Sequence, residues 1–211
     1  ERHHLLPQTK ARKVTPVMYN SWCVFAFDID EQQQMRLADK AADMGIELFV
    51  MDDGWFGKRD SDNCSLGDWV VDKRKLPGGI EAIHDVLKKH GMTLGIWFEP
   101  EMVSPDSDLY RAHPDWCLHI DGRPRSEGRQ QLMLNLSRKE VCDYLYDSIA
   151  AVLKNGAISY VKWDFNRNMS EVGSTDLPAD RQQEVSHRYY LGLYSLLERL
   201  VTDFPDVLFE S

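Results

Sequence analysis

Short apolar runs alternate with amphipathic stretches along this chain, and the alternation predicts strands joined by helices. Pro16 to Trp22 reads as the first strand, and residues 31–44 as a helix with Met35, Ala38 and Ala42 on one stripe. Leu48 to Met51 is a second strand, entered after Gly45, a helix-stop residue. The excursion from Gly54 to Pro77 is longer than an ordinary βα connection, and such loops are usually functional. Ile80, Ile83 and Leu87 then line the inner face of a helix that runs to His90.

Thr93 to Phe98 is the third strand. A proline-rich loop follows, carrying Pro100, Pro105, Pro114 and Pro124, and then a short extended piece from Leu132 to Leu134. Ser137 to Glu140 has the form of a capping box, which predicts a helix from there to about residue 155. Ser159 to Trp163 is the fourth strand. Val185, Tyr189, Leu193, Leu196 and Leu200 mark one face of a helix over 181–203, and Val207 to Phe209 opens a fifth strand. Strands joined by helical crossovers imply a parallel sheet, either doubly wound or a (β/α) barrel. No GxGxxG follows the first strand, so the Rossmann reading lacks its fingerprint and the barrel is favoured. The expected fold class is α/β, a (β/α)8 TIM barrel represented by about its first five βα units. Residues 1–15 form a lead-in, and 16–211 the partial catalytic domain.

Composition narrows the function. The 211 residues are 43% hydrophobic, an ordinary globular content, and the formal charge of −9 argues against nucleic acid as a partner. No apolar run reaches the roughly 18 residues of a membrane span. Cys23, Cys64, Cys117 and Cys142 show no metal-type spacing, so free thiols in a reducing compartment are expected, with no metal and no cofactor. The chain begins at Glu1 rather than Met and ends in a strand pattern, which reads as a segment of a longer protein.

The chemistry gathers where strands end. Tyr160 to Arg167 delivers Asp164 between two cations, Lys162 and Arg167, with Lys162 and Asp164 on one strand face and Val161 and Trp163 on the other. Nearby positive charge favours the ionised carboxylate that a covalent nucleophile needs, although a buried salt bridge would leave the same trace. The other strand ends supply Asn20 and Trp22, then Asp52, Asp53 and Trp55, then Trp97, Glu99 and Glu101, then Glu210. In α/β barrels these positions build the site. A ring of carboxylates alone would suit Mg²⁺, whereas carboxylates interleaved with indoles suit a sugar. Four tryptophans among the strand ends favour the sugar, and an ammonium beside Asp164 would compete with a metal.

These residues carry a specific resemblance. Asn20 to Trp22, Leu48 to Lys58, Leu66 to Trp69 with Asp72 to Pro77, Gly95 to Met102 and Lys162 to Arg167 resemble, in order, the catalytic barrel of glycoside hydrolase family 36 α-galactosidases of the melibiase and raffinase type. The resemblance implies retaining hydrolysis of α-galactoside oligosaccharides, with Asp164 as nucleophile. It implies that Asp52 and Asp53 accept hydrogen bonds from galactose O4 and O6, and that Trp97 walls the pocket. Arg129 and Lys162 would donate to sugar hydroxyls, and Asn166 would reach the 2-OH region. Trp22 would close the pocket, while Glu99 and Glu101 serve either as contacts or in orienting Arg and Lys neighbours. A raffinose-synthase-like transferase, an α-N-acetylgalactosaminidase and a non-catalytic galactoside-binding fragment stay open as alternatives. The family further implies a bacterial cytoplasmic enzyme that is homo-oligomeric, often tetrameric. His3, His4, His84 and His90 read as inert, and Lys73 to Lys75 as a solvated loop face.

A retaining glycosidase needs a second carboxyl group about 5–5.5 Å from the nucleophile. The resemblance puts it on the strand after the one opened by Val207, beyond Ser211. The isolated 211-residue segment is therefore expected to hydrolyse no aryl α-galactoside. A release assay on the purified segment checks this, and measurable turnover would contradict it.

Overall fold

The computed structural model describes residues 15–211, so the expected lead-in up to residue 14, with His3 and His4, lies outside the described residues. Five strands form one parallel sheet: β1 (Met18–Asn20), β2 (Leu48–Met51), β3 (Thr93–Phe98), β6 (Ile158–Trp163) and β7 (Leu208–Glu210). They lie side by side in chain order. That sequential order is the barrel's and separates it from a doubly wound sheet, whose order reverses at a switch point. β4 (Met102–Val103) and β5 (Leu132–Met133) pair antiparallel as a separate ribbon within the long connection after β3.

The helices are α1 (Trp22–Phe25), α2 (Glu31–Asp43), α3 (Gly79–Lys89), α4 (Asp108–Ala112), α5 (Lys139–Leu153) and α6 (Val185–Asp203). One face of the sheet, with Phe49, Met51, Leu94, Ile96, Phe98, Val161 and Trp163, joins the helices in the main core. The opposite face holds Leu48, Val50 and Tyr160, with Leu208 against them, and no helical residue enters that cluster. Helices on one face only and strands in sequence are the signature of barrel wall. Gly95 lies on this inner face, where a Cβ would stand 2.8 Å from Tyr160 Cδ1 and 3.0 Å from a Val50 methyl. The inner layer therefore requires glycine there.

Several boundaries shift for local reasons. β1 keeps only three residues of the expected Pro16–Trp22 strand, because the chain turns at Ser21 into α1. In α2, Asp30 caps the first turn by accepting from the Gln33 amide, a contact worth about 1 kcal/mol. Its buried positions are Gln34, Ala38 and Ala41, so the inward face is rotated from the Met35–Ala38–Ala42 stripe. α3 buries Ile80, Ile83 and Leu87 as the pattern requires, and α6 buries Val185, Tyr189, Leu196 and Leu200. The capping box at Ser137 does not form. Asn135 Oδ1 takes both the Ser137 amide and hydroxyl, and Glu140 takes Arg138 Nε, so α5 starts without a side-chain cap.

Candidate active site

The ends of β1, β2, β3 and β6 converge on one polar cleft. Its lining includes all seven residues singled out from sequence: Asp52, Asp53, Trp97, Arg129, Lys162, Asp164 and Asn166. Trp22, Asp62 and Glu99 complete it. The parallel register explains the convergence. Trp97 lies beside Lys162 across β3 and β6, and the Asp164 amide donates to Phe98 O at 2.8 Å, so the pairing continues one step past the strand.

Asp164 is braced by three donors. Its Oδ2 accepts from Trp97 Nε1 at 3.0 Å and from Asn166 Nδ2 at 2.8 Å, while Oδ1 accepts only the Phe165 amide at 3.1 Å. Burial opposes ionisation of Asp164. The bonds from Trp97 and Asn166, the charge of Lys162 and the Phe165 amide outweigh it and hold the carboxyl below its usual range. Arg167, expected as the second cation, turns away. It donates instead to the carbonyls of Ser126 and Gln131 and to the Ser170 hydroxyl.

The aspartate pair after β2 is held by two different cations. Asp52 Oδ2 accepts from Lys162 Nζ at 3.0 Å and from Asn20 Nδ2 at 2.5 Å, and the Asp52 amide donates to Ser21 Oγ. Asp53 receives the Arg59 fork, with Nε at 3.0 Å from Oδ1 and Nη2 at 2.9 Å from Oδ2. Burial pushes the Asp53 carboxyl up, with Arg59 and the Gly54 amide opposing. Arg59 is fully buried and spends Nη1 on the carbonyls of Asp62 and Cys64. Sequence reasoning missed this residue. Its signal was an arginine six residues beyond an acidic pair, inside a loop too long to be a mere connection.

Other expectations divide. Trp97 and Trp22 line the cleft, but Trp55 and Trp163 are core residues, with Trp55 Nε1 on Trp97 O and Trp163 Nε1 on Glu101. The indole count at the cleft is therefore two. Glu101 lies outside the cleft, tying Trp163 to the Tyr189 hydroxyl of α6. Glu99 lies inside it, taking the Asn166 amide at 2.7 Å and Gln131 Nε2 at 3.1 Å. Among the described residues, neither glutamate pairs with an Arg or Lys. Burial pushes the Glu99 carboxyl up to about 7, with the charges of Asp164 and Asp53 adding. Arg129 faces Asp62 at 3.2 Å, and with Gln130 it occupies the left-handed region, φ +51° and +58°. Lys75 is no solvated residue: its Nζ donates to the carbonyls of Phe27, Gly54 and Arg59 and pairs with Asp60. His90 pairs with Asp39 at the surface.

A buried carboxylate cluster with fixed donors and two indoles is a sugar-type arrangement, and comparison with known proteins agrees. The family model described as Melibiase matches residues 1–211. The chain belongs to the melibiase family. It is 53% identical over 196 residues to the α-galactosidase AgaA of Geobacillus stearothermophilus, covering 93% of this chain and 27% of that protein. It is 46% identical over 210 residues to Mel36A of Lactobacillus acidophilus, covering 99% of this chain and 29% of that protein. The crystal structure of AgaA superposes with a TM-score of 0.92 at 52% identity, over 94% of this chain and 28% of that one. Variants of AgaA have been solved with stachyose and with raffinose. This melibiase segment thus spans under a third of the relatives it matches, and among its described residues no helix is long and apolar enough to cross a membrane.

Among the described residues, Arg59 is the one cation paired with Asp53. Arg59→Leu in the full-length protein should cost about 3–5 kcal/mol, the range for stripping one partner from a buried pair. Urea denaturation checks this; an unchanged midpoint would contradict it.

Proposed function

We propose that this chain carries the nucleophile half of a retaining α-galactosidase acting on melibiose- and raffinose-type galactosides. The observation that carries the reading is Asp164: an ionised carboxylate with Oδ2 fully engaged and Oδ1 holding a single donor. Oδ1 has the freer lone pairs and attacks the anomeric carbon. The bond from C1 to the leaving oxygen breaks as that oxygen takes a proton from the acid/base carboxyl, which the family resemblance puts outside this chain. The β-galactosyl ester is then displaced by water, with the proton returning to the same acid/base, and the α-configuration is retained.

Asp52 and Asp53 take the galactose O4 and O6 hydroxyls. Each is oriented by its own cation, so the two acceptors keep fixed directions, which is what separates an axial from an equatorial O4. Trp97 combines two tasks. Its ring walls the cleft, and its N–H holds the nucleophile. Lys162 and Arg129 donate to ring hydroxyls, and Asn166 serves the 2-OH, where hydrogen bonds strengthen in the transition state. A bacterial cytoplasmic setting fits the four free cysteines, and the reading includes a homo-oligomeric parent, in a family that is often tetrameric.

In the full-length enzyme, Asp164→Ala should lower kcat by more than about 10³-fold, the scale of losing a nucleophile. Asp164→Gly with added azide should regain activity and yield β-galactosyl azide. Wild-type turnover in the alanine variant would remove Asp164 from this role.

A further inference from the structure

Glu99 is a cleft carboxyl to which neither the sugar nor the chemistry has yet given a task. It is 1% exposed, so it is poorly placed to exchange protons with substrate. Both of its oxygens accept hydrogen bonds. One takes the Asn166 backbone amide at 2.7 Å, and the other takes Gln131 Nε2 at 3.1 Å.

Each contact leads to a working part of the cleft. Asn166 is the residue whose side chain holds Asp164 Oδ2. The turn from Asp164 to Asn166 is thus pinned to the end of β3 twice in succession, by the Asp164 amide on Phe98 O and by the Asn166 amide on Glu99. Gln131 closes the turn that begins at Gly128, exchanging backbone hydrogen bonds with it. Between them sit Arg129 and Gln130, both in the left-handed region that only an over-determined backbone sustains. Arg167, three residues past the nucleophile, donates to Gln131 O and closes the circuit. Gln131 is fully buried, and among the described residues its Oε1 has no hydrogen-bond partner, so its amide has one unused acceptor.

We propose that Glu99 is a positioning residue that fastens the Asp164–Asn166 turn and, through Gln131, the Arg129 loop to the end of β3. A carboxylate suits this place because both joints are N–H donors and it offers acceptors to both. Glutamine at position 99 would keep one acceptor for the Asn166 amide. Its NH₂ could then be received by the unused Gln131 Oε1 once that amide turns over.

The inference rests on Asp164 being the nucleophile, and the test separates the two. In the full-length enzyme, Glu99→Ala should lower kcat on an aryl α-galactoside about 100-fold, the scale of a 1 Å misplacement at a reacting group. The fold should stay intact by circular dichroism. Glu99→Gln should recover about tenfold of that loss. Gln131→Met, which keeps the volume but removes the donor, should reduce kcat in the same direction and serves if the alanine variant fails to fold. Two results would overturn the proposal: unchanged kcat in Glu99→Ala or, if that variant fails to fold, in Gln131→Met; or equal inactivity of the alanine and glutamine variants. An active Asp164→Ala enzyme would instead refute the nucleophile reading, whatever Glu99 does.

Discussion

The parallel pairing of β3 with β6 is the constraint on which the site depends. Its register sets Trp97 beside Lys162 and continues into the bond from the Asp164 amide to Phe98 O. A slip of one residue would exchange inner and outer faces, carrying Trp97 and Lys162 into the helical core and Val161 and Trp163 into the cleft. The core forbids this. Val161 and Trp163 are buried among the helices, and Trp163 is bonded through Glu101 to Tyr189 on α6. Packing on the outer face therefore fixes the chemistry on the inner one.

Buried charge at this end of the sheet is resolved locally, carboxylate by carboxylate. Asp52 has Lys162, Asp53 has Arg59, and Asp164 has two neutral donors backed by an ammonium. Glu101 has an indole and a phenol, and Glu99 an amide and a carboxamide. Charged partners hold the groups aimed at substrate hydroxyls, and neutral partners hold the two glutamates. The difference matters because an arginine fork fixes a carboxylate's direction and opposes the upward push of burial, as at Asp53, while the two glutamates have only neutral donors to oppose it.

Much of this was legible in the sequence, for identifiable reasons. The strands are short apolar runs that helices cover on one side, and the acids after them stand out against those runs. Asp52, Asp53, Trp97, Lys162, Asp164 and Asn166 lie within three residues of a strand end, where barrel topology makes position predictable. Arg129 came from the family resemblance alone, since nothing in its loop's composition marks it. What could not be read depends on contacts between distant segments. Arg59 on Asp53, Lys75 on three carbonyls and Gln131 on Glu99 are side chains whose partners are set by loop conformation. The failures have the same origin. Arg167 looked like a partner of Asp164 and Lys75 like a solvated charge, because their actual acceptors include backbone oxygens, which every residue carries. Ser137 looked like a cap until Asn135 competed for it.

The most direct test of the account is to identify the carboxylate that becomes covalently glycosylated. The full-length enzyme would be treated with a slowly turned-over 5-fluoro galactosyl fluoride, digested with trypsin, and its peptides weighed. Cleavage after Lys162 and Arg167 releases Trp163 to Arg167, in which Asp164 is the single carboxylate. The account predicts that this peptide gains the mass of one fluorinated galactosyl group, with α-galactose as the product of normal turnover. A label on any other peptide, or β-galactose as the first product, would contradict it.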